Sequence, residues 1–195
     1  MSRFVPMSIA ALLIGAAVPL SGAAVAQEAG MYTSCEYRFA VIFPGAVQPM
    51  TRNITFTTPS GAMVPARQFY HERGADRFAV TVAVFPANAP AVDDGVVEHA
   101  AEQIRQRGGQ VRFQYTAPYD PGMPGRQLNI IDPNGKQLRA SVYMADRRLT
   151  ITEAIAAEGD FNALQFEQSI TLIDANGDDL DRPNNGEVRN FGCRR

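Results

Sequence analysis

Hydrophobic and polar residues alternate through most of the chain, with a period near two that changes only twice. In "EYRFAVIFPG", Tyr37, Phe39, Val41 and Phe43 share one side and Arg38, Ala40 and Ile42 the other, which predicts a strand ending at Pro44-Gly45. "RNITFTT" repeats the pattern with Ile54 and Phe56, then breaks at Pro59-Ser60-Gly61. "ARQFYHERG" and "DRFAVTVAVF" predict a hairpin turning through Arg73-Gly74-Ala75-Asp76. Its second arm is small or apolar on both sides, so it belongs inside a sheet. Further on, "VRFQYT" sets Val111, Phe113 and Tyr115 together. "RQLNII" turns through Asp132-Pro133-Asn134-Gly135 into "QLRASVYMA", and "RLTITEAIA" completes the strands.

Two stretches have the helical period instead. Val92, Val96, Val97, Ala100 and Ile104 form one stripe while Glu98, Glu102 and Arg105 point away. Acidic Asp93 and Asp94 start this helix, basic Arg105 and Arg107 end it, and Gly108-Gly109 follow. Asp160 is a suitable N-cap for a shorter helix, "FNALQFEQSI", with Ala163, Phe166 and Ile170 inward. The fold class expected is α+β: an antiparallel sheet of about seven strands packed by two helices. The last stretch, "DANGDDLDRPNNGEVRNFGCRR", is polar and turn-rich, too poor in apolar residues to add to a core.

The amino-terminal residues change the picture of where such a domain works. Arg3, the uncharged apolar run Phe4 to Leu20 and Ala24-Val25-Ala26 have the order of a secretory leader. The organisation expected is a signal peptide over 1–26, a single domain over 27–174 and a polar tail over 175–195. A periplasmic or secreted location follows, with no stable membrane span once the leader is removed. Cleavage would remove Arg3 and take the formal charge from −2 to −3, and a weakly acidic chain without a basic block argues against nucleic-acid binding. Both cysteines would then meet an oxidising compartment. Cys35 precedes the first strand-like run and Cys193 lies two residues from the end. We expect a Cys35–Cys193 disulfide that ties the tail beside that strand, the alternatives being two free thiols or a bridge between molecules.

With these segments placed, a likeness is visible. "FAVIFPG" (39–45) resembles the opening of PsbP-like exported proteins, a group that includes DcrB-type lipoproteins. Arg148-Leu149 is similar to the Arg-Leu-Tyr that begins their last long strand, with Thr150 replacing the tyrosine. Phe166-Glu167-Gln168-Ser169-Ile170 resembles the F-x-x-S-F of their final helix, with Ile170 for the second phenylalanine. The resemblance covers about residues 36 to 174. It implies a PsbP-like sandwich of sheet and helices acting as a binding or assembly module, and it supplies no catalytic residues.

Signals for chemistry are few. "HERGA" (71–75) begins like a zinc-protease motif but has Ala75 where the second histidine belongs, and His99 has no second ligand near it. G-x-S-x-G and the phosphate-loop spacings are absent. Asp174, Asn176 and Asp178 match the first positions of a calcium loop, which then fails at Asp179 and Asn185. Tyr70, Tyr115 and Tyr143 are candidates to line a groove for a small apolar ligand or a peptide edge. The function expected is therefore non-catalytic, without catalytic residues, cofactor or metal, serving an unidentified envelope partner or small ligand. The alternatives are a hydrolase whose site assembles across strands, and a weak calcium binder.

Overall fold

The computed structural model describes residues 30–181 and 187–193, so the expected leader over 1–26 lies outside the described residues. Strands β1 (Met31–Ser34), β2 (Phe39–Ile42), β3 (Met50–Thr57), β4 (Met63–Arg73) and β5 (Asp76–Val84) come first. Helix α1 (Asp94–Arg105), strands β6 (Gln110–Thr116), β7 (Gly125–Ile131), β8 (Gln137–Ala145) and β9 (Arg148–Ala156), helix α2 (Phe161–Gln168) and β10 (Thr171–Leu172) follow. Seven strands form one antiparallel sheet in the order β3-β4-β5-β9-β8-β7-β6, and β1-β2-β10 form a small second sheet. The molecule is α+β, as the two periodicities require.

Register assigns each residue to a face. Leu149, Ile151 and Ile155 of β9 lie in line with Ala83, Thr81 and Arg77 of β5, and this face packs on α1. The other face, with Phe78, Val80, Val82 and Ala154, meets Phe39 and Val41 of the small sheet, Phe43 just after it, and Ala163 and Phe166 of α2. Because β5 has core on both sides, it runs inside the sheet between β4 and β9. Phe43, Phe78 and Phe166 meet at centroid distances of 5.1 and 5.6 Å, joining small sheet, main sheet and α2.

The helices begin where their caps are. Asp93 accepts the Val96 amide at 3.2 Å and Asp160 accepts that of Ala163 at 2.9 Å. Val96, Val97, Ala100 and Ile104 are buried as the stripe requires, whereas Val92 precedes the helix and is exposed. Glu98 fastens α1 to the sheet, accepting from Arg105 at 2.7 Å and from Arg126 of β7 at 2.8 Å. These guanidinium bonds, that of Arg105 first, hold the Glu98 carboxyl below its usual range. A carboxylate depressed in the fold stabilises it above the unfolded pKa and loses that contribution as pH falls through the folded one. The urea midpoints of wild type and Glu98→Gln should therefore converge as pH drops through the carboxylate range. A gap independent of pH would contradict this role.

Four expectations need correction. The run at Tyr37–Phe43 belongs to the small sheet, where β1 and β10 flank β2; both flanking strands are too short to show an alternation. Val111 does not share a face with Phe113 and Tyr115, because the register shifts between Val111 and Phe113. That irregularity lies on edge strand β6, whose residues are all exposed, and irregular edges resist pairing with other chains. The tail does contribute to the core: Leu180 packs against the α2-side cluster and Cys193 is buried. Finally, the three candidate tyrosines occupy both faces of the sheet, as described below.

Candidate functional site

The disulfide organises one end of the molecule. Cys35 and Cys193 are joined with their Cα atoms 5.4 Å apart, across 158 residues of sequence. The tail returns to this point along a ladder in which Leu180 donates to Leu172, Asp179 to Arg189 and Phe191 to Gly177. Gly177 has a φ of +87°, and a Cβ there would come within 2.8 Å of the Cys193 amide nitrogen, so only glycine lets the bridge close. Below the ladder, the half-buried Tyr119 donates its hydroxyl to Asp179 at 2.9 Å and accepts the Leu172 amide at 3.0 Å. Burial pushes both the Tyr119 phenol and the Asp179 carboxyl above their ordinary values.

Beside this tether is a cavity of about 190 Å³, walled by Ala145, Leu172, Ile173 and Leu180 and edged by Arg38, Asp146, Arg148, Thr150 and Asp174. Three segments build its charged edge. Arg38 closes the turn that starts at Cys35, and its carbonyl accepts the Ile173 amide at 3.1 Å. Asp146 and Arg147 form the two-residue connection from β8 to β9, and Arg148 is the first residue of β9. Arg38, Asp146 and Arg147 have φ values of +58°, +43° and +60°. They are three of the four non-glycine residues with positive φ among those described. The values at Asp146 and Arg147 are those a two-residue hairpin turn requires at both central positions, here met without glycine.

The electrostatics there are unbalanced. Arg38, Arg147 and Arg148 all pair with Asp146, a half-exposed carboxylate. The Asp174 oxygens are turned to their own loop, taking the Asn176 amide at 2.7 Å and the Asp178 amide at 3.0 Å. Arg148 donates from its terminal nitrogen to Asp146, but its Nε is buried without an acceptor. Burial and then the charge of Arg38 push the Arg148 guanidinium below its ordinary value, although it stays a cation. Guanidinium groups that share one half-exposed carboxylate beside an apolar cavity suit an anion carrying a small apolar body.

No family model matches the chain, and no curated protein sequence does. Among solved structures, it is similar to the solution structure of cyanobacterial PsbP (CyanoP) from Synechocystis sp. PCC 6803. The two are 12% identical, with 73% of this chain and 91% of that one covered and a TM-score of 0.46.

The residues singled out in the sequence fall elsewhere. Tyr143 is buried with its ring against Tyr119 at 5.5 Å, in a seat that requires Gly125, since a Cβ there would lie 2.6 Å from the Tyr143 ring. Its hydroxyl accepts from Gln127 at 3.1 Å, and exposed Tyr115 donates to the same Gln127. Tyr70 pairs across β4 with Ala79, which pairs with Glu153, and so lies on the α1 side of the sheet. The three therefore form no common groove; strand register separates what residue type alone had grouped. His99 bonds to the Thr57 carbonyl at 3.1 Å and to Gln103 at 3.0 Å. Among the described residues no three of His, Cys, Asp and Glu cluster as metal ligands would. The arginine site was missed because Arg38 and Arg148 are 110 positions apart. One usable signal was "ADRRLT", a tight turn between two strands with no glycine in it.

Proposed function

We propose that the protein is a non-catalytic binding module of the bacterial envelope, periplasmic or secreted and of DcrB-type affinity. Its ligand site, on this reading, is the Arg38/Arg148 cavity. The leader pattern over 1–26 and the disulfide support the location, and the short motifs at 39–45 and 166–170 support the affinity. One observation carries the site: Arg38 and Arg148 edge a cavity whose walls are apolar while sharing a single half-exposed carboxylate, Asp146. The ligand class that follows is a short monocarboxylate, its head on the arginines and its chain against Leu172, Ile173 and Leu180. Binding asks for no nucleophile or general base, and the Ser141–Glu167 pair, a serine on a carboxylate, is buried.

Calorimetric titration with monocarboxylates from acetate to hexanoate tests this. Affinity should rise about fourfold per methylene, from about 0.8 kcal/mol each, until the cavity is filled. It should fall about tenfold in Arg148→Gln, which loses a charged hydrogen bond. No saturable heat for any member, or the same heats in Arg148→Gln, would remove the assignment.

A further inference from the structure

We infer a second anion site, for a phosphate- or sulfate-type group, on the opposite face of the sheet. Its floor is three neighbouring rows of cross-strand partners on the α1 side. One row runs Arg52–Gln68–Thr81, the next Met50–Tyr70–Ala79–Glu153 and the third Glu72–Arg77–Ile155. Helix α1 packs on β7 and β8 and leaves this end of the face open. The result is a bowl of about 170 Å³ lined by Arg52, Gln68, Tyr70, Arg77, Ala79, Arg107, Glu153 and Ile155.

Three guanidinium groups thus converge from β3, from β5 and from the segment after α1. Only one carboxylate, Glu153, lines the bowl with them, and it is taken by Arg107. Arg77 pairs with Glu72, its partner in the third row, at 3.2 Å, both side chains being about half exposed, where such a pair is weak. Arg52 meets no carboxylate among the described residues; its Nε donates to Gln68 at 2.8 Å and its head lies 5.0 Å over the Tyr70 ring. Gln68 is held in turn by donating to Thr81 at 3.0 Å, so Arg52 is fixed from the floor upward. The Tyr70 hydroxyl has no hydrogen-bond partner among the described residues and is a further donor at the centre. Three cations against two carboxylates, Glu153 and the half-exposed Glu72, leave one guanidinium in excess here, on a chain whose formal charge is −2.

The geometry selects the class of anion. A carboxylate has two acceptor atoms and is met by one guanidinium fork. Forks approaching from three sides complement a group with three or four acceptor oxygens and more than one negative charge. A phosphate or sulfate group has both properties. It could be free in solution or belong to a lipid headgroup, and the experiment separates these sources.

Arginine Nε–Hε resonances are followed by NMR while inorganic phosphate is added at constant ionic strength. In parallel, flotation is measured with phosphatidylcholine vesicles containing phosphatidic acid. We expect saturable shifts confined to Arg52, Arg77 and Arg107, with binding weakened about tenfold in Arg52→Gln and in Arg77→Gln. Tyr70→Phe, which removes only a hydroxyl, should weaken it less. Flotation lost in Arg52→Gln, with no response to free phosphate, assigns the site to a headgroup. Binding of neither probe, or binding unchanged in both arginine variants, overturns the inference. Because the two cavities lie on opposite faces, a failure here leaves the monocarboxylate reading standing, and the converse holds.

Discussion

Replacing Cys35 with serine and Cys193 with alanine is expected to lower stability by as much as about 5 kcal/mol, the largest effect of any change described for this chain. The bridge closes a loop of 158 residues, and loop-closure entropy of the unfolded chain grows with the logarithm of that length. For a chain of this size the matching fall in Tm is about 10 to 20 °C. The folded state should lose in a particular place. Residues 187–193 are held by the Asp179–Arg189 and Phe191–Gly177 backbone bonds and by the bridge, with few apolar contacts besides Cys193 itself. Released, they free Leu180 and Asp174 on one side of the cavity, while Arg38 on the other side loses the anchor at Cys35. Urea unfolding of the oxidised protein and the double variant measures the first effect, and amide exchange around Leu172–Leu180 the second. A difference below about 1 kcal/mol would show that the unfolded chain gains little freedom from release, contrary to the entropy account.

What the sequence made legible, and what it hid, divides along the same physical lines. Strands β4, β5 and β7 to β9 were readable because each buries residues on at least one face, and burial imposes alternation on residues two apart; β3 showed it only at Ile54 and Phe56. Helix α1 was readable for the same reason at its own period, and its cap Asp93 marked the start. Strands β1 and β10, with four residues and two, are strands only because β2 supplies their hydrogen-bond partners, which no local pattern records. The face inversion at Val111/Phe113 is hidden too, since a register shift adds a residue without altering composition. The disulfide was foreseeable, as the leader pattern implied an oxidising compartment and two cysteines leave few pairings. Both arginine sites were not, because their members come from β1–β2, β8–β9, β3, β5 and the end of α1 and meet only through register. Tyr70 was singled out for the wrong companions: its neighbours are Arg52 and Glu153, not Tyr115 and Tyr143.

Glu167→Ala is the second change expected to have a large effect, a loss of about 3–5 kcal/mol. Helical period alone would leave Glu167 beside the inward Phe166 and give it to solvent, yet its side chain is 4% exposed. It is inward because β8 presents it with partners: Ser141 donates to one oxygen at 2.5 Å and Arg139 to the other at 3.1 Å. This carboxylate therefore pins α2 to the main sheet between Phe166 below and the Ser169 hydroxyl, which accepts the Ile42 amide at 2.9 Å. Truncation to alanine leaves Arg139 as a cation at the helix–sheet junction, its Nε already without an acceptor, and strands the Ser141 hydroxyl. The cost thus comes from the partners left behind more than from the pair itself, and that distinction is measurable. Glu167→Gln keeps an acceptor for Ser141 and should recover part of the loss. The double variant Arg139→Met with Glu167→Leu removes both charges together and should approach wild-type stability. Urea unfolding of the four proteins decides it. An alanine variant within about 1 kcal/mol of wild type, or a double variant less stable than the alanine one, would contradict the buried pair as the clasp of α2.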